Sequence, residues 1–161
     1  MLVMKKKQLP DARDDSDRRL LSDVENIGWH VVGILGDDVG PPYAFTVGLY
    51  HTFEHPEVMI VGLEPRSGGN LLNVLADQIQ MGKRFGNLES VEFADVGFPL
   101  GFRAVNTEYY DSYLGYALWF YRSQDFPVLQ CVWPDKALVF PWDDDCDDGC
   151  QELQRLTLIA E

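Results

Sequence analysis

Between Trp29 and Leu63 the chain runs through three apolar, β-branched segments, "WHVVGIL", "YAFTVGLY" and "EVMIVGL". Each has the composition of a strand. "GDDVGPP" separates the first two with turn chemistry, glycine supplying unusual dihedrals and proline stopping the preceding strand. "EHP" breaks the second from the third. Strands that come in runs between single helices point to an α+β fold, mainly an antiparallel sheet or a small split-barrel-like β core, rather than a doubly wound parallel sheet.

The helices read from their spacing. Leu20, Leu21, Val24 and Ile27 recur on one face behind a run of acids, and Gly28 stands where a helix ends, predicting a helix over 14–27. Leu71, Leu72, Leu75 and Ile79 mark a second helix, with Ser67 as its expected cap and Gly82 as its stop. "TEYYDSYLGYALWFY" reads as a third, weakened by Gly115, and a last one is expected after Gln151. Roughly three to four helices therefore pack outside the sheet. "SVEFADV", "LGFRAVN", "FPVLQCVW" and a short "ALVF" complete the strand candidates. A length of 161 residues suits one domain, expected over 13–161 behind a flexible arm at 1–12, with an acidic C-terminal segment.

The net charge of −13 narrows the partners. Nucleic-acid binding relies on Lys and Arg neutralising phosphates, and an anionic membrane repels an acidic surface, so neither is expected. A basic protein is the partner that opposite fields steer toward such a chain. The charged N-terminus lacks the apolar middle of a signal peptide, and no apolar run reaches the roughly 18 residues of a membrane span; both point to the cytoplasm. Of three cysteines, Cys131 reads as a core residue, and Cys146 and Cys150 as free thiols on the acidic tail.

"HTFEHPE", His51 to Glu57, spells the inverted zinc-protease signature H-x-x-E-H. That signature needs both histidines on one helical face. Pro56 pushes His55 away from helical dihedrals, and no third ligand stands at catalytic spacing. No metal is expected; the polar residues there read as caps for backbone groups, with His55 and Glu57 as an acid–base pair in the functional alternative. "DDDCDDGC" fails as a calcium loop, because Cys146 falls at the third position and Arg155 where the bidentate glutamate belongs. "SGGN" before a helix could turn backbone amides toward an anion.

"PPYAFTVGLY", "HPEVMIVGL", "LLNVLADQI" and "FPVLQCVWPDKALVFPWD" in this order resemble the bacterial family known as domain of unknown function 4262, from Trp29 to Asp143. The resemblance implies a shared fold and carries no activity with it. Its polar positions, Thr46, His55, Glu57, Gln130 and Asp135, join the acids Asp143, Asp144, Asp145, Asp147 and Asp148 as the expected binding residues. The function expected is a non-catalytic acidic protein-binding module without a cofactor; a bacterial immunity protein that neutralises a toxin is its sharpest form. The alternative is a flavin-binding split-barrel oxidoreductase, by fold-level analogy, with Thr46 holding the phosphate of flavin mononucleotide (FMN).

Overall fold

A computed structural model describes residues 8–94, 96–143, 145–146 and 150–160. The chain folds into a six-stranded sheet with helices on both faces. In chain order the elements are α1 (Asp15–Asn26), β1 (His30–Ile34), β2 (Tyr43–Val47), α2 (Leu49–Phe53), β3 (Glu57–Val61), α3 (Pro65–Gln80), β4 (Ser90–Glu92), β5 (Pro99–Ala104), α4 (Tyr110–Tyr113), α5 (Gly115–Tyr121), β6 (Val128–Val132) and α6 (Cys150–Leu153). Strand order across the sheet is β1-β2-β3-β6-β5-β4. Every pair is antiparallel except β3–β6, where Met59 stands opposite Gln130. The fold is α+β, as the strand runs predicted. Among the described residues no helix is long and apolar enough to cross a membrane.

Alternation along the strands sorts side chains into two cores. On one face Phe45, Met59, Val61 and Val128 pack beneath α1, α4 and α5 through Leu20, Val24, Leu114 and Phe120. On the other, Ala44, Ile60, Leu129 and Phe102 pack beneath α3 through Leu72, Leu75, Ala76 and Ile79. The central strands β3 and β6 are buried along their whole length.

The long helices start and stop for local reasons. Asp14 caps α1 by accepting from the Asp17 amide at 2.9 Å, and the Gly28 amide closes its end on the Asp23 carbonyl. α3 starts earlier than expected: Pro65 opens its first turn, and Ser67 lies inside. Gly68 and Gly69 of "SGGN" are therefore helical and buried, and a Cβ on Gly68 would meet Ile60 Cγ2 at 3.1 Å. They bring α3 close to the sheet, and the Gly68 amide donates to the Glu64 carbonyl within the helix. The third expected helix is broken at Leu114, whose non-helical ψ of 41° divides α4 from α5. Its aromatic residues are buried or half-buried, with Tyr110 and Phe120 in the core.

Two strand expectations fail. "YAFTVGLY" leaves the sheet after Val47 and turns into α2. "ALVF" is a turn and coil, because the Asp135 carboxylate accepts from the amides of Ala137 and Val139 at 2.9 Å each and curls the segment back. Of the expected arm, residues 8–12 are described: Pro10 is buried, and the Gln8 carbonyl accepts from Arg122. Cys131 is a free, buried thiol. Cys146 is disulfide-bonded, correcting the expected free thiol; an odd cysteine count leaves room for one bridge.

Candidate functional site

Glu57 begins β3 and points into the face covered by α5. Its side chain is out of reach of water, and five donors close on it. Thr46 Oγ1 at 2.9 Å and the Leu49 amide at 3.0 Å donate to Oε1. The amides of Gly48 at 3.0 Å and Tyr50 at 3.3 Å donate to Oε2, together with the Tyr121 hydroxyl. The first amides of a helix have no intrahelical acceptor. Glu57 satisfies those of α2 from a neighbouring strand, so this five-residue helix forms where local sequence offers it no cap.

The surroundings are shaped to this carboxylate. Gly48 sits at φ 110°, and a Cβ there would meet Val24 Cγ2 at 2.8 Å and the Gly28 carbonyl oxygen at 3.1 Å. Only glycine turns the chain there without strain. Thr46 stands just past the last registered β2–β3 pair, Phe45–Met59, and its hydroxyl accepts from the Val58 amide at 2.9 Å in place of a ladder bond. The Tyr121 hydroxyl also accepts from the His51 amide at 3.2 Å, tying α5 to α2. Burial pushes Glu57 up to about 7, against the pull of the Tyr121 and Thr46 hydroxyls and the amides. Burial and the adjacent Glu57 also raise Tyr121.

His55 is buried and has no part in that cluster. Phe85 donates its amide to Nε2 at 3.0 Å, so Nδ1 carries the proton and donates to the Pro56 carbonyl at 2.8 Å. Burial lowers its affinity for a second proton. The ring is a neutral strut between the start of β3 and the Phe85 segment, and the expected His55–Glu57 acid–base pair does not form. The H-x-x-E-H geometry does not form either: His51 lies on α2, whereas His55 follows Glu54, which leaves the helix at φ 55°. Among the described residues no group of three or more His, Cys, Asp or Glu side chains is placed to hold a metal ion.

The remaining expected residues go elsewhere. Gln130 is buried mid-strand; its Nε2 donates to the Gln154 carbonyl, and its Oε1 has no partner among the described residues. Gln154 in turn brackets Trp133, donating to its carbonyl at 2.9 Å and accepting from its amide at 3.2 Å. Asp135 shapes the turn after β6. Asp143 and Asp145 are exposed, and Asp144, Asp147 and Asp148 lie outside the described residues. His55, Glu57, Gln130 and Asp135 therefore do not converge on one cleft. A cleft of about 380 Å³ beside α2 is lined by Leu9, Ile27, His51 and Phe53 among others, and one of about 610 Å³ lies against Asp37, Asp38, Val39 and Arg155; none of those four lines either. Tyr121 and Gln154 are the partners that sequence reading missed. They stand 64 and 24 residues from the groups they serve, and no local pattern marks such contacts.

With both nitrogens of His55, both oxygens of Glu57 and the hydroxyl of Thr46 engaged inside the protein, the arrangement holds two helices on a sheet. A family model described as "Domain of unknown function (DUF4262)" matches residues 23–147. No curated protein and no solved structure matches the chain.

Proposed function

The chain belongs to the DUF4262 family, and from that premise we propose that it is a non-catalytic acidic module that binds a basic protein. The observation that carries this reading is the use made of its polar residues. Thr46, His55, Glu57 and Gln130, polar positions of the family-matched segment, are buried and bond within the scaffold. What the surface offers instead is negative charge, −13 over the chain, carried by exposed carboxylates such as Asp37, Asp38, Asp143 and Asp145. A field of that sign speeds encounter with a positively charged macromolecule and fixes its orientation. An immunity protein that occupies a basic toxin is the form of binding module this charge suits best. The FMN alternative is less well supported, because a phosphate at Thr46 would have to displace Glu57 from the only hydroxyl that residue has.

Crosslinking the tagged full chain in its source cells and identifying what is captured tests the proposal. The expected partner has an isoelectric point above about 9, and its affinity for the purified chain falls steeply with ionic strength. If it is a toxin, cells expressing it survive only when this chain is expressed too. A neutral or acidic partner bound without salt dependence, or turnover of a substrate by the purified chain, contradicts the reading.

A further inference from the structure

β1 is an outer strand of the sheet, and among the described residues nothing pairs with its free side. In an antiparallel pair every second residue bonds its neighbour and the next turns its amide and carbonyl outward. β1 spends one set on β2, from His30–Val47 to Ile34–Tyr43. Among the described residues no other backbone or side-chain group bonds the outward set, nor the amides of Leu35 and Gly36 beyond it. Proteins usually blunt such edges with shortness, proline, charge or a bulge. The opposite edge, β4, follows that rule: it has three residues, ends in Glu92 and follows Glu89. β1 has five residues and no Asp, Glu, Lys or Arg, and its His30 Nδ1 lies 2.7 Å from Asp23 Oδ2. It runs directly into Leu35, 79% exposed.

The hairpin beyond β1 supplies the charge. Asp37 and Asp38 are exposed at its tip beside Val39, 87% exposed. The tip is braced: Asp37 Oδ1 accepts from the amides of Val39 at 2.8 Å and Gly40 at 3.0 Å, and Arg155 donates to the Val39 carbonyl from behind at 3.1 Å. A ladder unpaired among the described residues, exposed apolar side chains and two carboxylates thus follow one another along the chain.

We propose that the basic partner docks by laying an extended segment along β1, its backbone completing the open ladder and its lysine or arginine side chains meeting Asp37 and Asp38. The proposal rests on the reading of the chain as a basic-protein binder. Strand addition draws affinity from main-chain hydrogen bonds and specificity from alternate side chains. Those alternate positions are apolar toward Leu35 and Val39 and cationic toward the acids. A second copy of this chain is the poorer occupant, since pairing two β1 edges joins two molecules of charge −13.

The test uses the ¹⁵N-labelled full chain and a soluble peptide of about eight alternating lysine and valine residues, close to an ordinary strand length. The parent peptide is expected to shift amide resonances in residues 30–39 and to slow exchange of the outward β1 amides by about tenfold or more at saturation. N-methylation of alternate peptide amides, which removes ladder donors and leaves charge intact, is expected to weaken binding about tenfold. The Asp37→Asn, Asp38→Asn double variant is expected to weaken it about threefold to tenfold and to flatten its salt dependence. No binding, shifts elsewhere, equal binding of the N-methylated peptide, or a β1-paired dimer in light scattering would each overturn the proposal. The captured native partner separates the two claims. If it is basic and binds but leaves β1 exchange unchanged, the edge assignment fails alone; if no basic protein binds, the functional reading fails with it.

Discussion

At the start of β3, five donors close on one carboxylate that solvent does not reach. Two strands away, along β1, the outward amides and carbonyls have no partner among the described residues. Both regions concentrate polar groups, but the first satisfies them internally and the second leaves them without a partner among the described residues. A buried hydrogen-bonding group without a partner is costly, whereas one facing water is free to exchange solvent for a ligand. The difference therefore separates polar residues that hold this fold from polar groups available to a partner.

The sharpest way to break the comparison is to remove Glu57. Glu57→Ala leaves two hydroxyls and three amides without their buried acceptor. Unfolding in urea at pH 6 is expected to show a loss of about 3–5 kcal/mol, with α2 the first element to lose protection. A change below about 1 kcal/mol would mean the cluster holds little.

The pH profile probes the same group without mutation. Burial raises Glu57 to about 7 in the fold against an ordinary 4.5. A raised carboxyl binds its proton better when folded. Its contribution is complete below about 4.5 and is lost as pH rises through about 7. Stability measured relative to Glu57→Gln, which cannot ionise, is expected to fall by roughly 2.5 kcal/mol between pH 5 and 8. A flat difference would place the titration elsewhere.

Tyr121→Phe removes one donor to Glu57 and the acceptor of the His51 amide while keeping the ring that stacks on Phe126 at 4.6 Å. A loss of about 1–2 kcal/mol is expected by calorimetry. At the other region the expectation inverts. Asp37→Asn with Asp38→Asn is expected to change stability by no more than about 0.5 kcal/mol while weakening capture of a basic partner.

Much of this was legible in the sequence, and the boundary of legibility is physical. α1 and α3 carry their own signals, Asp14 and Gly28 at the ends of one and the Leu72–Leu75–Ile79 stripe of the other, so both were readable. β1, β2, β3 and β6 were readable from their apolar runs and β4 from its alternation, with β5 as its partner after a turn, as was the family from the order of its segments. α2 was not, because its cap comes from a glutamate eight residues beyond its first amide, at the start of the next strand. "ALVF" has strand composition, yet one aspartate outweighs it by giving the backbone a local alternative. In the candidate site, sequence marked Thr46, Glu57 and His55 as binding positions and offered backbone capping as the other reading; in the structure their polar atoms bond inside the protein. That His55 and Glu57 take separate partners, and that Tyr121 rather than His55 completes the cluster, depends on packing that no short window contains.

Native-state hydrogen exchange measures both regions in one sample. If Glu57 is a structural anchor, the amides of Gly48 and Leu49 exchange only through global unfolding, while the outward amides of β1 exchange near the rate of unprotected backbone. Equally fast exchange at Gly48 and Leu49 would show that the carboxylate does not hold them, and would return Glu57 to the candidates for chemistry.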